Sequence, residues 1–339
     1  MRTEFQGEGP AEISAGAALA LFGALSVEAI APPARRLEGA APHEPLQAAA
    51  SRMWWKQVGA LAVLDGDRLV GSLSEDDLLR TLAARLEAYK ADVESVGPEL
   101  RVWDELLGGL SVADAMTPRA ELPHLPASSA LLEGVELVCA PTAVGGCSRH
   151  LWLMGDAGEV ARVISIRDIA RYLTALYDRE FPADAFRSAR DHERARRTGD
   201  ALLDLSIGAI RERTALGHPP IVARLEASGA ETVRRMWEDR RGYAIAVFSD
   251  GGPTGICTRR DVLRALRTPF VKLGELRAAR LMTVRVKTVS DVDTLCGLFK
   301  LMAIEGCRHM PLVDEEDRVE CVISMWEAVA LLAAVGAQG

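Results

Sequence analysis

The stretch IAVFSDGGPTGICTRRDVLRAL (Ile245–Leu266) runs from an apolar segment through a turn of Asp, Gly and Pro into a second apolar segment. Thr258 follows, then Asp261 three residues on, then a helical pattern. Taken alone, Thr258 and Asp261 read as a capping box: the Thr side chain accepts from a backbone N–H of the first turn, and the acid reaches back to the cap. The same order of features recurs in LAVLDGDRLVGSLSEDDLLRTL (Leu61–Leu82), LWLMGDAGEVARVISIRDIARYL (Leu151–Leu173) and MPLVDEEDRVECVISMWEAVALL (Met310–Leu332). The hydroxyl anchors are Ser74, Ser165, Thr258 and Ser324, and their acids are Asp77, Asp168, Asp261 and Glu327. Four ordered copies argue for one supersecondary unit used four times.

A helical pattern precedes each hairpin. In the last copy Val292, Leu295, Leu298, Phe299 and Met302 have helical spacing, and Gly306 is the expected stop. HMPLV then reads as a strand, DEEDR as a turn and VECVI as the antiparallel partner. RLMTVRVKTV, upstream, supplies a short extended lead-in, so the unit is β-α-β-β-α. The expected division is repeat one at 13–90, repeat two at 111–176, a charged linker at 177–200, repeat three at 201–268 and repeat four at 272–335.

Composition narrows the function. The 339 residues carry a formal charge of -8, with a pI near 5.4, which disfavours a nucleic-acid surface. An aromatic share of 5% leaves few stacking platforms for single strands. The six Cys (139, 147, 257, 296, 307 and 321) have no C-x-x-C spacing and suggest buried free thiols. The six His lack metal-ligand spacing, so no structural metal is expected. The uncharged stretch Ile13–Val27 is short of the roughly 20 residues of a membrane span. The acids before it are wrong for a signal peptide, so it reads as a buried small-residue helix in a cytoplasmic protein.

The repeats resemble the CBS (cystathionine-beta-synthase) domain family, whose domains pair into Bateman modules. The supporting residues are MTP at Met116–Pro118, LMT at Leu281–Thr283, RHMPLVD at Arg308–Asp314, GSLSEDDLLR and GICTRRDVLRAL. The resemblance implies an α+β fold of four β-α-β-β-α repeats in two modules packed as a disk, similar in organisation to the gamma subunit of AMP-activated kinase. It also implies an adenosine-type ligand, with the motif Asp on the ribose diol and the hydroxyl near phosphate. The nucleotide-binding residues so implied are Ser74, Asp77, Ser165, Asp168, Thr258 and Asp261. Copies one and three keep Gly71 and Gly255 ahead of the hydroxyl. Copy two has Arg162 there, and copy four has Cys321 with Glu327, a better cap than ribose ligand.

A second signal is confined to the even copies, where Arg149-His150 and Arg308-His309 stand at the start of the first hairpin strand. Copies one and three have Val58-Gly59 and Gly242-Tyr243 there. By the resemblance these Arg-His pairs face the shared centre and hold phosphates. Arg240, Arg241, Arg259 and Arg260 read as solvated instead. No GxSxG, phosphate loop or Cys-His pair marks an enzyme. The leading expectation is a regulatory sensor of AMP, ADP or ATP acting through a homodimer or a regulated partner protein, with neither nucleic acid nor membrane involved. The alternatives are a scaffold with empty clefts, or a sensor of S-adenosylmethionine or a cyclic dinucleotide.

Overall fold

Strands alternate between two apolar faces, and the arrangement of the repeats follows from that alternation. The computed structural model describes residues 26–30, 37–92, 101–140, 149–155, 159–180, 205–212, 214–239, 244–249, 252–268, 270–272 and 276–336. In repeat one, β2 (Ala60–Asp65) and β3 (Arg68–Ser74) form the hairpin, with β1 (Gly39–Ala40) parallel to β2 and β4 (Thr117–Pro118) antiparallel to β3. Leu61, Val63 and Leu73 point to the helix side, and Ala62 and Leu69 to the other side. A period of two with apolar residues on both faces is what a sheet covered on both sides requires.

Repeat two builds β5 (His124–Pro126), β6 (His150–Met154) and β7 (Val160–Ser165). Its Trp152 and Leu122 meet Ala62 and Leu69, so repeats one and two join sheet to sheet. Repeat three has β8 (Ile221–Ala223), β9 (Ala244–Ser249), β10 (Gly252–Thr258) and β11 (Thr283–Val284). Repeat four has β12 (His309–Val313) and β13 (Val319–Ser324). Ile256 and Val322 join these two in the same way.

The helices make the second junction. They are α1 (Leu46–Trp55), α2 (Glu75–Asp92), α3 (Val112–Ala115), α4 (Leu131–Cys139), α5 (Ile166–Glu180), α6 (Ile207–Arg211), α7 (Gly229–Glu238), α8 (Arg259–Leu266), α9 (Ala278–Leu281), α10 (Leu295–Glu305) and α11 (Met325–Gly336). α8 packs on α1 and α2, and α2 on α7, so one core unites repeats one and three. α11 packs on α4 and α5, and α10 on α5, so a second unites two and four. The chain is therefore four α+β repeats in two sheet-joined modules that meet head to head through their helices.

Three local expectations need correction. Val292 is 84% exposed and precedes α10, which Thr294 caps by accepting from the Gly297 N–H at 3.1 Å. The stretch RLMTVRVKTV is divided between repeats: Thr283 and Val284 pair with Gly255 and Ile256 of repeat three, and Val289 bridges Leu312 of repeat four. Gly306 does end α10, in the left-handed conformation at φ 67°. Val27–Ile30, placed by sequence with repeat one, lies in the core of repeats two and four. Most of Ile13–Val27 and of the linker 177–200, along with Cys147, Arg240, Arg241, Gly242 and Tyr243, lies outside the described residues.

Candidate functional site

All four motifs form the capping box. Asp77 Oδ2 accepts from the Ser74 N–H and hydroxyl at 2.8 and 2.6 Å, and Asp168 Oδ2 from Ser165 at 2.9 and 2.6 Å. Asp261 Oδ2 accepts from Thr258 at 2.8 and 2.7 Å, and Glu327 Oε2 from Ser324 at 2.9 and 2.8 Å. The cap uses one carboxylate oxygen in every copy, so any second role falls to the other oxygen.

That second oxygen is where the copies part. Thr117 donates to Asp77 Oδ1 at 2.6 Å, and Thr283 donates to Asp261 Oδ1 at 2.8 Å. Both threonines come from the flanking Met-Thr segment on the hairpin's edge. Arg80 and Arg264, three residues after their acids, reach the same oxygens at 2.8 and 3.0 Å. In repeat four His218, bridged to Val322, contacts Glu327 Oε1 at 2.8 Å, and the Gly217 N–H donates to it at 3.2 Å. Asp168 alone has no such partner for its second oxygen among the described residues.

The glycine of the motif has a reason different from close approach of a ligand. A Cβ on Gly71 would stand 2.5 Å from the Thr117 carbonyl oxygen and 2.9 Å from Met116 Sδ, and one on Gly255 would collide with Met282 Sδ. The glycines make room for the flanking segment. In repeat four the small residue has moved across the pair: a Cβ on Gly217 would meet Cys321 Sγ at 2.5 Å. In repeat two β7 is a sheet edge among the described residues, so Arg162 fits where glycine stands in repeats one and three.

An open cleft of about 200 Å³ occupies that place. Gly59, His150, Ser165 and Asp168 line it, with Arg167 and Arg171 beside the motif. Arg171, the counterpart of Arg80 and Arg264, is exposed. Arg260 and Arg308 enter from the other module. A second cleft, also about 200 Å³, holds Thr258, Asp261 and Thr283, and Arg167, Arg260 and Arg308 line it as well. The clefts therefore share three arginines.

Between them lies a buried ionic centre. Glu75, 5% exposed, accepts from Arg260 Nη1 and Arg308 Nη2, each at 2.7 Å. Asp76 pairs with Arg259 and, at 3.5 Å, with Arg149. Arg149 and Arg259 are buried, which corrects the reading of Arg259 and Arg260 as solvated. The sequence did hold a signal. Between cap and acid, repeat one has Glu75-Asp76 where repeat three has Arg259-Arg260, opposite charges at equivalent places in the two repeats that meet head to head.

The two Arg-His pairs come together here. A Cβ on Gly59 would lie 3.2 Å from His150 Nε2 and 3.6 Å from Arg308 Nη1, so the odd copy's glycine leaves space for the even copy's side chains. Burial first, then the Arg308 charge, holds the His150 pKa down to about 4. His309 is held well below its ordinary value by burial and by Arg149, Arg259 and Arg308. Arg167 is pushed down to about 10, by burial and then by neighbouring arginines, chiefly Arg308. With neutral histidines, arginines outnumber the carboxylates around the two clefts, even with Asp168, Asp261 and Glu305 counted beside Glu75 and Asp76. Such a centre favours anions.

Among the described residues no group of His, Cys, Asp and Glu could hold a metal ion, and no helix is long and apolar enough to cross a membrane. Cys257, Cys296 and Cys321 are buried and form no disulfide, with the Cys321 thiol pushed up to about 11 chiefly by burial.

The CBS domain family profile matches residues 28–84, 214–268 and 278–334. The chain is a CBS-domain protein. The second repeat falls outside the matched ranges; among the described residues it has the same hairpin and helices, with no strand beyond β7. A Methanocaldococcus jannaschii protein proposed as an archaeal homologue of the AMP-activated kinase gamma subunit superposes with a TM-score of 0.68. It is 17% identical, and the match covers 91% of this chain and 99% of that one. An uncharacterized conserved protein of Pyrococcus horikoshii matches at TM-score 0.51 and 13% identity, over 91% and 100% of the two chains. An uncharacterized Methanopyrus kandleri protein is 25% identical over 121 residues, 36% of this chain and 59% of that protein. The four repeats of this CBS protein thus share the gamma-subunit organisation.

Proposed function

We propose that this CBS protein is a regulatory sensor of an adenosine nucleotide, AMP, ADP or ATP. The ligand's ribose would bind Asp168 in the cleft between repeats one and two. Its phosphates would point to Arg149, His150, Arg308 and His309. The observation that carries this reading is Asp168, which lines an open cleft walled by arginines and whose second oxygen has no internal partner among the described residues, while its counterparts are bonded internally. A carboxylate there can accept from a ribose diol, and a helix start with a hydroxyl cap suits phosphate. Ser165 supplies that cap in this cleft. The Asp261 cleft is a second position, reached only if a ligand replaces the Thr283 hydrogen bond. Asp77 and Ser74 stand as a third candidate pair, closed by Thr117 and Arg80.

The arginine excess also bears on the choice of ligand. S-adenosylmethionine would bring a sulfonium cation toward a centre that is already positive, whereas phosphate charge is complementary. The scaffold reading draws its support from Asp77, Asp261 and Glu327, all fully bonded within the protein. Occupancy would be passed on through a partner protein or a second copy.

A melting-temperature series with adenosine, AMP, ADP, ATP and S-adenosylmethionine separates these readings. A ligand at 100 times its dissociation constant stabilises the fold by about 2.7 kcal/mol per site. The expected result is a shift that grows from adenosine to its phosphates and is absent with S-adenosylmethionine. No shift with any of them, in protein freed of bound nucleotide, supports the scaffold.

A further inference from the structure

Glu75 takes up the donors that an incoming anion would need. Its carboxylate binds Arg260 of repeat three and Arg308 of repeat four at once, both at 2.7 Å. Those two arginines line both clefts, and Glu75 itself lines the second. Paired copies two, three and four have Ile166, Arg259 and Met325 at the position after the cap, so the carboxylate is peculiar to repeat one. Its place is not explained by capping: Asp77 makes the box, and Glu75 points away to the centre.

We propose that Glu75 is a built-in competing anion, which occupies the anion position between the clefts and sets a threshold that only a multiply charged group can pass. A guanidinium engaged by a carboxylate offers fewer donors to a second anion, and charge-assisted pairs of this kind are the strong ones. A singly charged ligand meets an even exchange with Glu75. A diphosphate gains more from Arg260, Arg308 and Arg167 than the carboxylate gives up. Burial alone would raise the Glu75 pKa, yet Arg308, Arg260 and Arg149 hold it below its ordinary value, so the competitor stays ionised. The same carboxylate ties repeat one to repeats three and four, so its displacement would alter the contact between the modules. The inference deepens the nucleotide reading but concerns the anion position alone.

Inorganic pyrophosphate is therefore the probe, titrated calorimetrically into the full chain in low-salt buffer free of phosphate. Glu75→Gln is expected to bind pyrophosphate about ten-fold or more tighter than wild type. Equal or weaker binding in the variant, or binding to neither protein, overturns the proposal. Glu75→Asp covers the case in which the Gln variant does not fold. Its shorter side chain cannot span both guanidinium groups, so a smaller gain in affinity is expected and no gain is contradictory. Adenosine titrated into the wild type tests the nucleotide reading separately, because adenosine has no phosphate to compete with Glu75.

Discussion

Two neutral histidines in a cationic centre make stability depend on pH, and the sign follows from their environment. An unfolded His titrates near 6.5, whereas folded His150 is held down to about 4. Between those values the unfolded chain binds a proton that the folded chain refuses. Their contribution is complete above about pH 6.5 and is lost as pH falls toward 4, with a slope of about 1.4 kcal/mol per pH unit for one proton. His309, shifted the same way, adds to the slope. Urea denaturation at pH 7.5, 6 and 5 should show the decline, and His150→Gln should flatten it by about one proton. An unchanged slope in that variant would mean that His150 takes up its proton in the folded protein as readily as in the unfolded chain. Residue identity also decides the acids: Glu327 Oε1 is held by His218 and Gly217, which makes it a cap and latch rather than a ribose ligand.

The element that most rewards testing is the hairpin edge. β4 and β11 approach β3 and β10 closely only because Gly71 and Gly255 carry no Cβ. Gly71→Ala must push the Thr117 carbonyl away and strain its bond to Asp77, so we expect a loss of about 1–3 kcal/mol in chemical denaturation. A neutral substitution would mean that the flank yields freely. The hairpins, the caps and the Gly306 stop could be read in the sequence because each is set by residues a few positions apart. The flanking segments could not. Thr117 lies 40 residues from Asp77, and His218 lies 109 from Glu327, so no local pattern joins donor to acid. For the same reason the closed state of Asp77 and Asp261, and the open oxygen of Asp168, needed the folded chain. The Met-Thr motif was visible, but its sheet partner in the neighbouring repeat was not.

At the scale of the molecule, both sides of the helix junction between modules have an apolar core, and the residues just after the caps add charge pairs on one side and further apolar packing on the other. Repeats one and three match Glu75-Asp76 to Arg260 and Arg259, while Met325 and Ile166 are buried in the core of repeats two and four. Asp76→Ala and Arg259→Ala in a double-mutant cycle should show a coupling of about 0.5–3 kcal/mol. Additive losses would remove this pair from the account of module docking. That junction also brings Arg260 and Arg308 to the Asp168 cleft, so ligand recognition would draw on both modules at once. The central claim is that the second oxygen of Asp168 receives the ribose of a phosphate-bearing adenosine ligand. Calorimetric titration of ADP into wild type and Asp168→Asn tests it most directly. Asn keeps the size of the side chain but removes the charge and one acceptor, a loss of about 1.5–3 kcal/mol. The account predicts binding that is about 10- to 100-fold weaker in the variant; equal affinity in the two proteins would contradict it.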